Sequence, residues 1–251
     1  MKKIIYQIIV IALFFFVNSK TGLCSPNFEY NLYTPSTYNN KTTTEKFGAD
    51  SKVLFIVDFS NSMNEELNGR KKISIAMDTL TSILPKINPE VETGLRVYGH
   101  KTGFTYLQGC MASKLSVPLA KNNAQNILTS IYKTSATGWT PITYSLKQAV
   151  NNDFAGVQGK KHIILLTDGG ENCDESPCTY AIELMKQRDD ISIDVIAFDL
   201  YDAEANNQLK CAALATRGKF YSAGNSGELS NSLFDSLGID KSVHGTIKLN
   251  E

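Results

Sequence analysis

Neither sign of charge predominates in this chain. Basic and acidic residues balance at 25 each, and neither gathers into a run or a tail. Nucleic acid is held mainly by clustered lysine and arginine, so no nucleic-acid partner is expected. Histidine is scarce, with three copies (His100, His162, His244), and none stands in a Cys/His spacing that would hold zinc. Also absent are the Gly-x-Ser-x-Gly turn of a serine hydrolase, a glycine-rich phosphate cradle and a His-Glu-x-x-His helix. Ser60 and Ser62 have no evident histidine base, so no enzyme is expected. Hydrophobic content of 42% is nevertheless ample for a packed core.

Long apolar runs are missing too, except at the N-terminus. There Lys2 and Lys3 precede an apolar stretch from Ile4 to Val17, and small and polar residues follow from Ser19 to Ser25. This is the three-part pattern of a secretory signal peptide. The stretch falls short of the ~20 residues that a spanning helix needs. Cleavage after Cys24 is expected, with cleavage after Ser19 as a second option, giving a secreted or periplasmic protein that does not span a membrane. Two alternatives are an uncleaved N-terminal anchor and lipidation at Cys24, where Leu23 stands in place of the usual small residue.

Five cysteines become four once Cys24 is removed: Cys110, Cys173, Cys178 and Cys211. An even number in an oxidising compartment implies two disulfides, with three connectivities open. Cys173 and Cys178 close a tight loop around residues 174–177, which leaves Cys110 with Cys211.

Residues 25–48 are rich in Asn, Thr, Tyr, Ser and Pro and read as a polar linker. From residue 49 the chain alternates strand with helix. The run Val53-Leu54-Phe55-Ile56-Val57 is apolar at every position, as in a central strand covered on both faces, and residues 162–167 repeat the pattern. Ile73, Met77, Leu80 and Leu84 fall at helical spacing before Pro85. Strands follow at 94–98 and 114–119; Pro118 places the second at an edge, and the short link lets it pair antiparallel with the first. Helices are expected over 124–131, from Pro141 as first helical residue, from Ser176-Pro177 through Ile182 and Met185, and over 203–216. Strands are expected at 191–198 and 218–221, and a closing helix carries Leu229, Phe234 and Leu237. This order predicts one α/β domain over residues 49–238, doubly wound, with a mostly parallel sheet, one antiparallel edge strand and helices on both faces; residues 239–251 form a tail.

Oxygen-bearing side chains gather where strands end. Asp58, Ser60 and Ser62 follow the first strand at alternate positions; Thr137-Gly138-Trp139-Thr140-Pro141 forms a turn; Asp168 follows a later strand. Strand ends of open α/β sheets are where ligands bind. An oxygen-only donor set suits Mg²⁺, Mn²⁺ or Ca²⁺.

This trio, in this order, resembles the von Willebrand factor type A (VWA) domain. Arg96-Val97-Tyr98-Gly99-His100, Gly109-Cys110, the run from Asp168 to Cys178, and Phe198-Asp199-Leu200 followed by Cys211 are similar to a group of exported bacterial VWA proteins. The resemblance implies a metal-ion-dependent adhesion site (MIDAS) with Asp58, Ser60, Ser62, Thr140 and Asp168 as Mg²⁺ ligands. It implies a protein or matrix-type partner that offers an Asp or Glu carboxylate to the metal, and a closing helix, Leu229 to Leu237, that shifts on binding. A structural subunit of an envelope assembly, with a dispensable metal site, is the alternative. Trp139 is placed for contact with the partner or for packing beneath the loop, Asp199 is read as supporting the ligands or shaping a turn rather than as a ligand, and Arg96 and His100 are read as structural.

Overall fold

The computed structural model describes residues 46–48 and 50–239. The expected signal peptide lies outside these residues, as do most of the expected linker and most of the expected tail. In chain order the elements are β1 (Lys52–Asp58), β2 (Glu66–Leu67), β3 (Arg70–Lys71), α1 (Lys72–Ile83), β4 (Glu92–Tyr98), α2 (Tyr106–Cys110), β5 (Ser113–Ala120), α3 (Ala124–Tyr132), α4 (Ile142–Gln148), β6 (Lys161–Thr167), α5 (Pro177–Gln187), β7 (Ile191–Phe198), α6 (Ala203–Ala215), β8 (Phe220–Ala223) and α7 (Ser226–Leu237). Six strands form one sheet in the order β5-β4-β1-β6-β7-β8, and β2 pairs with β3 in a small hairpin. All neighbours in the large sheet are parallel except β4 and β5. β5 is an edge, as Pro118 predicts.

The apolar strands divide their side chains between two cores, because successive residues of a strand point to opposite faces. Val53, Phe55 and Val57 of β1, with Ile164 and Leu166 of β6, meet α1, α3 and α7. Leu54 and Ile56, with Ile163 and Leu165, meet α4, α5 and α6. Each such side chain contributes about 1.5–3 kcal/mol by leaving water. This double covering is why β1 and β6 contain no polar alternation.

Local details differ from expectation. Pro141 is the residue before α4 rather than its first, with φ −80° and ψ 70°. On α5, Ala181 and Leu184 are buried while Ile182 faces solvent; small Ala181 lets α5 approach its neighbours closely. The eighth strand begins at Phe220, two residues later than read.

The disulfides are Cys110–Cys173 and Cys178–Cys211, which corrects the pairing of Cys173 with Cys178. The reason is helical. Ser176 caps α5 by accepting from the Thr179 N–H, so Cys178 lies in the first helical turn and is carried toward α6, where Cys211 stands. Cys173 stays in the preceding loop and meets α2.

The winding direction fixes where a site can form. From β1 the chain crosses to β4 on one side; from β6 it proceeds through β7 to β8 on the other. The C-terminal ends of β1 and β6 therefore flank the switch point, where open α/β sheets leave a crevice.

Candidate functional site

Asp58 ends β1 at this crevice and is fully buried. Its Oδ1 accepts from the Ser60 N–H (2.6 Å) and its Oδ2 from the Thr167 hydroxyl (2.7 Å). Ser60 Oγ lies 3.0 Å from Ser62 Oγ, and Ser62 donates to Asp168 Oδ1 at 2.7 Å. Asp58, Ser60, Ser62 and Asp168 are thus one hydrogen-bonded network spanning two strand ends. Thr140 enters from the α4 side: the Cα of Gly169 faces both loops, and a side chain begun there would stand 3.8 Å from Ser62 Oγ and 4.0 Å from Thr140 Oγ1. All five residues read from the sequence meet in this space.

Backbone contacts hold the loops together. Gly138 O accepts from the Asn61 N–H (3.0 Å), Phe59 O from the Thr137 N–H (3.0 Å), and Gly99 O from the Gly138 N–H (2.7 Å). Gly99 has φ +68°, and a Cβ there would fall 2.5 Å from Ser60 N, so only glycine permits the β4 loop to lie this close. Asn172 Oδ1 accepts from the Thr140 N–H (2.7 Å). Glu171 accepts from the Thr143 and Cys173 N–H groups (2.6 and 3.0 Å), fixing the β6 loop to the first turn of α4.

The electrostatics are unbalanced. Burial, then the charge of Asp168, pushes the Asp58 carboxyl up to about 7. Burial also raises Asp168, against the opposing pull of Ser62 and Lys72. Among the described residues no cationic side chain forms an ion pair with Asp58.

Lys72, at the start of α1, is the functional neighbour that sequence reasoning missed. Its buried ammonium reaches Asp168 Oδ2 (3.2 Å), Asp199 Oδ2 (3.2 Å) and Glu65 Oε2 (3.0 Å). Burial opposes its charge, but Glu65, Asp168 and Asp199 outweigh that and hold it above the ordinary lysine range. In the sequence it sits in a Lys-Lys pair before a helix, with nothing to separate it from a solvated cap. Asp199, read as supporting the ligands or shaping a turn, anchors this lysine from the end of β7. Arg96 is structural as expected, forking onto Asp153 at 2.6 and 2.7 Å.

Trp139 is 39% exposed and packs on α2. Its indole lies over Gly109 of α2, where a Cβ would meet Trp139 Cδ1 at 2.3 Å, and its ring meets Tyr106 edge-on at 5.3 Å. α2 is tied in turn to the β6 loop by Cys110–Cys173 and by the Tyr106 hydroxyl, which donates to Asp174 (2.7 Å).

The model of the von Willebrand factor type A domain matches residues 52–235. "Uncharacterized protein YwmC" of Bacillus subtilis (strain 168) is 30% identical over 198 residues, 77% of this chain and 86% of that protein. Among solved structures, a von Willebrand factor type A protein from Catenulispora acidiphila superposes with a TM-score of 0.60 at 17% identity, over 75% of this chain and 42% of that one. Proximal thread matrix protein 1 from the mussel byssus, solved with a zinc-occupied MIDAS motif, gives 0.57 at 20% identity, over 75% and 45%. These two structural likenesses carry the fold alone. Domains of this type commonly bind proteins and typically hold a divalent metal, and the sheet order, the strand-end cluster and the match over residues 52–235 together place this chain in the von Willebrand factor type A domain family.

Proposed function

We propose that this is an exported, non-catalytic binding module whose cluster of Asp58, Ser60, Ser62, Thr140 and Asp168 holds Mg²⁺ and engages a carboxylate of a protein partner. The observation that carries this reading is the buried Asp58, with no cationic partner beside it and a second carboxylate raising its pKa. A divalent cation is the group this donor set fits. Two carboxylates and three hydroxyls are all hard oxygen donors. The mussel protein with zinc at its MIDAS motif supports a metal at this position of the fold.

Held by Asp58, Ser60, Ser62, Thr140 and Asp168, Mg²⁺ would supply an electropositive centre able to attract a carboxylate. The chain's own residues do the rest. Thr167 and the Ser60 N–H orient Asp58; Ser62 and Lys72 orient Asp168; Asn172 holds the Thr140 loop. Export is supported by the two disulfides, which persist in oxidising compartments. No helix among the described residues is long and apolar enough to cross a membrane.

Calorimetric titration of Mg²⁺ and Mn²⁺ into the protein, alongside Asp58→Asn and Asp58→Ala, tests the metal. Saturable binding in the wild type, weakened at least about tenfold in both variants while circular dichroism is unchanged, is expected. No heat in the wild type up to millimolar metal would refute the site.

A further inference from the structure

Resting on the metal-centred reading, a second observation indicates what surrounds the carboxylate that the partner presents. Five of the nine large apolar side chains exposed among the described residues, Phe104, Tyr106, Leu107, Met111 and Trp139, lie on one short segment and the tryptophan stacked on it. Phe104 is fully exposed and Leu107 67% exposed. Single exposed apolar residues need no explanation, but a contiguous group marks an interaction surface. This group is also rigidly built. A disulfide, the Tyr106–Asp174 hydrogen bond and an indole lodged over side-chain-free Gly109 all fix α2 in place.

We propose that this surface is the second half of the partner face, and that it takes a protein segment whose acidic residue is flanked by large apolar side chains. Three features select that occupant. Trp139 is the residue directly before Thr140, and Asn172 receives both the Thr140 N–H and the Tyr106 hydroxyl, so the aromatic surface adjoins the Thr140 side of the cluster. The opposite rim repels such a segment: a hollow of about 400 Å³ between the starts of α5 and α6 is lined by Glu171, Glu175, Asp202 and Glu204. On the α2 side stands the exposed Lys101, whose carbonyl a Cβ on Gly138 would meet at 2.3 Å, and the exposed Lys114 follows α2 at the start of β5. An acidic segment is therefore steered over α2, where aromatic anchors supply the contact area typical of interface hot spots.

Trp139, the only tryptophan, reports on this surface directly. Its fluorescence is followed during titration with acetyl-Phe-Asp-Phe-amide and acetyl-Ala-Asp-Ala-amide, in Mg²⁺ and in EDTA, at peptide concentrations up to several millimolar. The Phe peptide is expected to bind about tenfold more tightly in Mg²⁺. Phe104→Ser with Leu107→Ser should abolish that preference, whereas Ile182→Ser with Leu214→Ser, also exposed but on α5 and α6, should preserve it. All four side chains are exposed, so the substitutions remove no fully buried packing, and circular dichroism checks the fold of each variant. If both peptides bind equally and in a Mg²⁺-dependent manner, the aromatic platform is refuted while the metal reading stands. If the preference survives EDTA and acetyl-Phe-Asn-Phe-amide binds as well as the Asp peptide, the metal reading falls and takes the acidic half of this proposal with it. Equal loss in both double variants, no binding of the Phe peptide, or dimerisation abolished by Phe104→Ser with Leu107→Ser would each overturn the assignment, the last giving the surface to a second copy of the chain.

Discussion

Replacing Cys173 and Cys178 together by alanine separates the two disulfide patterns by stability alone. With Cys110–Cys173 and Cys178–Cys211, the bridges close segments of 63 and 33 residues. The chain-entropy relation assigns about 4 kcal/mol to each, and because the two loops follow one another without overlap their contributions add. The double variant breaks both bridges and should lose about 8 kcal/mol, comparable with the entire 5–15 kcal/mol by which domains are stable. Had Cys173 paired with Cys178, the same variant would remove one very short loop worth about 2 kcal/mol and leave a Cys110–Cys211 bridge intact. Urea unfolding followed by circular dichroism reads the difference as a shift of midpoint, and thiol titration of the variant counts the remaining cysteines. An unfolded or barely folded variant with Cys110 and Cys211 both reactive is expected. A loss near 2 kcal/mol with no reactive thiol would refute the pairing and the reasoning from α5 that explains it.

Three further predictions concern the rim. Lys72→Met leaves Asp168, Asp199 and Glu65 without their shared cation and should cost about 3 kcal/mol in EDTA, less with saturating Mg²⁺; chelator-independent loss in urea unfolding would argue against a metal beside Asp168. Asp58, raised to about 7 by burial first and Asp168 second, holds a proton in the folded metal-free protein that the unfolded chain releases near 3.8. Its contribution to metal-free stability therefore falls as pH rises through that window, while Mg²⁺ affinity rises; comparison of urea midpoints with Asp58→Asn isolates the effect, and parallel pH profiles for the two proteins would contradict it. Gly109→Ala, favourable by helix propensity alone, should instead displace the Trp139 indole and red-shift its emission; an unchanged spectrum would show that the indole does not rest on α2.

What was legible in the sequence had a local cause. β1 and β6 are recognisable because burial on both faces leaves a run of residues no water can reach, and Asp58, Ser60 and Ser62 are recognisable because strand-end spacing sets alternate oxygens side by side. The antiparallel β5 followed from a short link and from Pro118. The rest depended on which distant segments meet. Nothing near Cys173 reveals that Cys178, five residues on, has been turned away by the first turn of a helix. Lys72 reads as a solvated lysine until the ends of β6 and β7 surround it with carboxylates.

The five-residue helix α2 has no period to detect, and its apolar residues look like core until the fold leaves them outside. That last case has a physical consequence for where specificity resides. The strand-end oxygens come from short, local motifs that any sheet of this winding can present, so on the proposed reading the cation they hold would by itself recognise little beyond a carboxylate. The surface around them is assembled from residues 104–111, 139 and 172–174, joined by a disulfide across 63 residues, and on that reading it is this non-local part that would distinguish one acidic partner from another.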